Sequence, residues 1–305
     1  MTKYFNKNLF KFVYFLQFMF KNICLEFFSY FCKFKIKFLV IMNRSLPPVV
    51  KNLLIINVIL FLASWMMPAI LRRWGLNIQL EDLLGMHYFA SEKFNLIQML
   101  TYMFLHAPFP NITHIFFNMF ALFMFGPILE QVWGPRKFLI FYLVTGIGAG
   151  IVQQLFWYID MGSMFSAMDS AVSSGSAESL APYYGKLSRY FRFSGDISQM
   201  NTADVLMMKK ELMNSLLTVG ASGAIFGILL AFGWLFPEQR LFLMFIPVPI
   251  KARYFVAGYA VLELFLGVAS FRGDSVAHFA HLGGMLFGLM LILYWRKKGR
   301  LYGQN

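Results

Sequence analysis

Two residues in this chain have the chemistry of a nucleophile and a base, and each lies inside a stretch apolar enough to cross a bilayer. Ser222 stands in Gly220-Ala221-Ser222-Gly223, and His281 in Ala280-His281-Leu282-Gly283-Gly284. A serine hydroxyl is a poor nucleophile until a base within hydrogen-bond reach takes its proton, so the pair suits acyl transfer and, with water as acceptor, peptide hydrolysis. A third polar group opens another apolar stretch, where His114 and Asn118, four residues apart, share one face of a helix. An intramembrane imidazole or amide must find partners and can donate to a developing oxyanion. Each fragment alone also has a plainer reading. Gly-Ala-Ser-Gly is a common helix-packing tetrapeptide, and His114 with Asn118 can simply hydrogen-bond between helices.

The elements that hold these groups follow from composition. Of the 305 residues, 59% are hydrophobic and only 13% charged, more apolar surface than a soluble domain could cover, so the expected solvent is the lipid bilayer. The net charge of +13 does not indicate nucleic acid, because no groove-reading or stacking module is present and the basic residues cluster at the amino terminus and between apolar runs. Cys24 and Cys32 both lie in the amino-terminal stretch, which leaves the apolar part without a thiol nucleophile or a disulfide. Six runs are about long enough to cross roughly 30 Å of hydrocarbon: Leu53 to Leu71, Asn111 to Val132, Phe138 to Ile159, Leu216 to Phe236, Tyr254 to Phe271 and Ala277 to Trp295. Lipid offers no partner to free backbone groups, so the expectation is an all-α membrane protein of six transmembrane helices.

Residues 1–41 form a basic Phe- and Lys-rich extension whose lysines interrupt every apolar run, so it is expected to be interfacial or untranslated, with Met42 as an alternative start. The membrane domain is expected over 42–300, followed by a tail over 301–305. Arg44 and Lys51, Arg136 and Lys137, Arg240 to Arg253, and Arg296 to Arg300 all fall on one side in a six-span count. That predicts cytoplasmic termini, in the plasma (inner) membrane, and external connections over 72–110 and 160–214. The second connection is read as an insertion, and its Leu206 to Met213 segment as an amphipathic helix able to lie on the membrane.

Within this frame Ser222 falls six or seven residues into the fourth run, and His281 at a similar depth in the sixth. Gly223 with Gly227, and Gly284 with Gly288, make four-residue ladders that let two backbones approach closely.

The three signatures together resemble the rhomboid intramembrane serine proteases. His114-x-x-x-Asn118, Gly220-x-Ser222-Gly223 and Ala280-His281-x-x-Gly284-x-x-x-Gly288 occur in the family's order and helix placement, over about residues 50–295. The resemblance implies a six-helix rhomboid-like bundle and a Ser222–His281 dyad with no required acid, metal or cofactor. It further implies an oxyanion and substrate site at the Ser222 N–H, His114, Asn118, Gly220 and Ala221, and transmembrane proteins as substrates. Gly126 and Glu130 resemble the family's Gly-x-x-x-Glu, a structural element, and Phe226 stands where relatives often carry Tyr, able to stack on His281. The family's usual Trp-Arg is absent before His106, where the chain reads Asn95 to Tyr102. Inactive relatives that bind client transmembrane helices lose the serine or the histidine; this chain retains both.

Other polar residues in the runs have competing readings. His278, His281, His106 and His114 could suggest zinc, but no His-Glu-x-x-His occurs and no carboxylate stands close to them in sequence on the second or sixth run. Glu263 in the fifth run is a candidate triad acid, read instead as a structural hydrogen-bonding residue because the resemblance implies a dyad. Asn111-Ile112-Thr113 fits a glycosylation sequon but abuts the membrane.

Overall fold

A computed structural model describes residues 46–193, 195–243, 246–269 and 277–302. The expected extension over 1–41 and the end of the tail lie outside the described residues. In chain order the elements are α1 (Pro48–Arg72), α2 (Leu80–Leu84), β1 (Met86–His87), α3 (Gln98–Thr101), α4 (Ile112–Trp133), α5 (Pro135–Ser174), α6 (Tyr184–Leu187) and α7 (Thr202–Ser215). They continue through β2 (Leu217–Thr218), α8 (Ser222–Leu235), β3 (Arg240–Leu243), β4 (Ile246–Lys251), α9 (Ala252–Ala269) and α10 (His278–Lys297). Contacts divide the chain into two units, and the smaller one holds, among described residues, Leu46 and the parts of the paired strands β3 and β4 over 242–243 and 246–249. The larger unit is the helical bundle.

The protein is an integral multi-pass membrane protein. Among the described residues five helices, α1, α4, α5, α9 and α10, are long and apolar enough to cross a bilayer. The fourth expected span is shorter than the sequence predicts. Its helix begins at Ser222 instead of Leu216, because 217–218 pairs as β2 with β1, Met86 opposite Thr218, and Gly220 takes a φ of 137°. The resulting 14-residue α8 covers about 21 Å, less than the hydrocarbon thickness. Eleven of its residues are buried, so it is apolar all round and sits at the centre, packed against α4, α5, α9 and α10.

The third expected span is longer. α5 runs 40 residues to Ser174, about 60 Å, and ends at Gly175, whose left-handed φ of 73° stops the helix. About half of it therefore projects beyond the hydrocarbon. The insertion wraps this projection: Leu180, Leu187, Ile197, Val205, Met208 and Leu212 bury against Met161, Met164, Phe165, Met168 and Ala171. The segment read as an amphipathic helix able to lie on the membrane is part of α7, whose apolar face at Val205, Met208 and Leu212 packs on α5. Asn201 caps it, accepting from the Asp204 N–H at 2.9 Å.

Glu130 at the end of α4 accepts from the free N–H groups of Val49 (3.0 Å) and Val50 (2.8 Å), and so caps the first turn of α1. A methyl group at Gly126 would press on Val50. The Gly126–Glu130 pair thus seats α1 on α4. At the same end of the bundle Lys137 donates to the Arg300 carbonyl and lies 4.7 Å from the Trp295 ring centroid.

Candidate active site

Ser222 is the first residue of α8 and His281 lies in the first turn of α10. Their equal depth therefore comes from an extended segment that descends to Ser222, not from six residues of helical rise. The two helices meet through glycine. A side chain on Gly284 would fall onto the Gly223 carbonyl, and one on Gly288 would stand 3.4 Å from the Gly227 Cα. At Gly284 no other residue fits this approach, which brings His281 Nε2 to 2.8 Å from Ser222 Oγ.

Phe226, one turn after the serine, stacks on the His281 ring with centroids 4.2 Å apart and planes 8° from parallel. His281 is 7% exposed, whereas Ser222 is partly open. The imidazole is thereby confined to a plane in which Nε2 faces the hydroxyl.

His114 on α4 packs against the turn before the serine: a Cβ at Gly220 would come 2.9 Å from His114 Nε2. Gly220 is thus required twice, for its positive φ and for this contact. The Ala107 N–H donates to His114 Nδ1 at 3.3 Å, so in the neutral ring the proton sits on Nε2, which faces the serine turn. The start of α8 adds the free N–H groups of a helix N-terminus. Together these donors can stabilise negative charge beside Ser222. Asn118 Nδ2 donates to the His114 carbonyl at 2.8 Å, which leaves one of its two amide hydrogens for other use. Ala221 is fully buried behind the turn.

The connection before α4 holds itself together without the expected Trp-Arg. Buried Gln98 accepts from the N–H groups of His87 (3.3 Å) and Asn95 (3.2 Å) and donates to the carbonyls of Lys93 (2.9 Å) and Leu83 (3.2 Å). The Tyr102 carbonyl accepts from the Gly220 N–H at 3.0 Å, tying this connection to the serine turn. Sequence reasoning missed Gln98, which reads as an ordinary loop amide.

It also missed the placement of Glu263. On α9, Glu263 Oε2 accepts from His281 Nδ1 at 2.8 Å and from His278 Nδ1 at 2.7 Å. The signal was an isolated carboxylate in an apolar run, opposite two histidines spaced to share one face. These three groups could hold a metal ion, but the carboxylate oxygen stands only 2.7 and 2.8 Å from the two histidine nitrogens. Ligands of a tetrahedral zinc with bonds of about 2.0–2.1 Å lie about 3.3 Å apart, so the spacing is that of hydrogen bonds.

A family model described as the Rhomboid domain matches residues 93–177 and 191–298, more than half of the chain. The chain is similar to "Rhomboid protein 1, mitochondrial" of Saccharomyces cerevisiae, 28% identical over 245 residues, 80% of this chain and 52% of that protein. It is also similar to "Rhomboid protease AarA" of Providencia stuartii, 36% identical over 70 residues, 23% of this chain and 24% of that protein. The chain thus spans about half the length of the yeast protein.

Proposed function

Because the chain belongs to the rhomboid family, we propose that it is a serine endopeptidase working within the membrane. Ser222 is the nucleophile, and His281 is first the general base and then the general acid. The observation that carries this reading is the 2.8 Å contact between His281 Nε2 and Ser222 Oγ, with Phe226 holding the ring. As Oγ attacks the scissile carbonyl, Nε2 takes its proton. The oxyanion forms against the Ser222 N–H at the start of α8 and against His114 Nε2–H, with Asn118 as a further donor. His281 then protonates the leaving amine. Water, deprotonated by the same nitrogen, releases the acyl group from Ser222.

A peptide bond within a helix is shielded and hydrogen-bonded, so the substrates are single-span membrane proteins whose segment unwinds locally at small or helix-destabilising residues. The basic flanks support cytoplasmic termini and a site opening to the external side of the plasma (inner) membrane. The name of the yeast relative places that protein in mitochondria.

The test uses purified protein and a fluorescent transmembrane substrate, together with a fluorophosphonate probe. Cleavage and labelling are expected in the wild type and lost in Ser222→Ala and His281→Ala. Binding of the substrate helix without cleavage or labelling would instead identify a client-binding relative.

A further inference from the structure

We propose that Glu263 is a positioning residue that extends the Ser222–His281 pair into a three-residue relay across α8, α10 and α9. The proposal rests on the assignment of Ser222 as nucleophile and goes beyond the two-residue mechanism that the family resemblance implies. Its basis is connectivity through one imidazole. His281 Nε2 lies 2.8 Å from Ser222 Oγ, and its other nitrogen, Nδ1, lies 2.8 Å from Glu263 Oε2.

The carboxylate determines which nitrogen carries the proton. An ionised carboxyl only accepts, so the Nδ1 facing it is N–H, and the lone pair is left on Nε2, where the serine proton must go. Without an acceptor at Nδ1 the two neutral tautomers would compete, and the one with a proton on Nε2 cannot act as base. Once Nε2 takes the serine proton the ring becomes a cation with both nitrogens protonated. The anion beside Nδ1 stabilises that cation in a buried setting where water cannot, since Glu263 is 6% and His281 7% exposed.

The cost of the residue supports the same conclusion. A carboxylate in a membrane helix is expensive, and the usual compensation is a donor pair facing the bundle interior. Glu263 has that pair, since His278 Nδ1 donates to the same Oε2 at 2.7 Å and fixes the carboxylate from the start of the same turn of α10. A neutral amide would serve equally well if α9 only needed fastening to α10. The choice of a full charge beside the base has a chemical consequence that fastening lacks.

The experiment compares wild type, Glu263→Gln and Glu263→Asp in detergent on a transmembrane substrate, measuring kcat and KM, the rate at which a fluorophosphonate labels Ser222, and the thermal unfolding midpoint. Glu263→Gln is expected to lower kcat and the labelling rate per folded molecule by roughly a hundredfold or more, with KM within about twofold. Glu263→Asp, which keeps the charge one methylene farther away, is expected to recover part of both rates. A role in fastening alone gives a lower unfolding midpoint with kcat per folded molecule intact, or equal losses in Gln and Asp, and either result overturns the relay. A wild type that neither cleaves nor labels brings down the Ser222 assignment and the relay together. An active wild type with an equally active Glu263→Gln brings down the relay alone.

Discussion

At the scale of single residues, the proposed mechanism divides its work between groups that move protons and groups that wait for charge. His114 belongs to the second kind, because its Nδ1 is occupied by the Ala107 N–H and its Nε2 faces the serine turn. Truncating it removes one preorganised donor from the oxyanion. His114→Ala is expected to lower kcat about 10²–10³-fold with little change in KM, measured by steady-state cleavage. Asn118→Ala should lose less, since one amide hydrogen is already committed to the His114 carbonyl. His106 poses a different problem. It lies in the connection before α4, fully buried, its ring 5.2 Å from that of His114, and burial pushes its pKa down to about 3. The folded protein therefore keeps it neutral while the unfolded chain protonates it below about pH 6.5. The sign follows: its contribution is intact above about pH 6.5 and is lost progressively as the pH falls towards about 3. A few kcal/mol, roughly, is at stake. The unfolding midpoint in detergent should fall across that window, and His106→Phe should flatten the fall.

At the scale of elements, glycine decides how close α8 and α10 come. Gly284 and Gly258 make a controlled pair, since a methyl group at Gly284 would overlap the Gly223 carbonyl, whereas nothing lies within 4 Å of one at Gly258 on α9. Gly284→Ala is expected to destabilise by about 1–3 kcal/mol and to abolish cleavage by parting Ser222 from His281. Gly258→Ala should be neutral or slightly stabilising. Glu130 offers a separate handle. Glu130→Ala strands the Val49 and Val50 N–H groups and should lower stability by about 1–2 kcal/mol, leaving kcat per folded molecule unchanged. Much of this level was legible in the sequence. The ladders Gly223–Gly227 and Gly284–Gly288, the face shared by His114 and Asn118, and Gly126 with Glu130 are local spacings, and helical periodicity turns local spacing into geometry. The start of α8 was not legible, because Leu216 to Val219 is apolar enough for helix and only its pairing with Met86 and His87, far away in sequence, holds it extended. The position of Glu263 beside the site escaped for the same reason, although the residue itself stood out. Its partners lie 15 and 18 residues ahead on another helix, and no periodicity within α9 can reveal them.

At the scale of the whole molecule, the bundle is polar at its ends in opposite ways. One end gathers Arg136, Lys137, Arg296 and Arg300, with Lys137 on the Arg300 carbonyl. The other carries the projecting half of α5 with the insertion around it, where Lys186 pairs with Asp160, Lys209 with Asp169 and Lys210 with Glu92. The orientation proposed above keeps the Lys and Arg end cytoplasmic, and it would put the insertion outside, on the same side as Ser222 and His281. In that orientation the proposed protease would draw its water from the external face and cut substrates near their external ends. Two reporter cysteines decide the matter in a chain whose Cys24 and Cys32 are replaced by Ser. Ser173→Cys sits exposed near the tip of α5 and Lys298→Cys just beyond α10. In intact cells a membrane-impermeant maleimide should modify the first and reach the second only after permeabilisation. Labelling in the opposite order would invert the bundle, move the water entry to the cytoplasm, and require substrates to be cut at their other end.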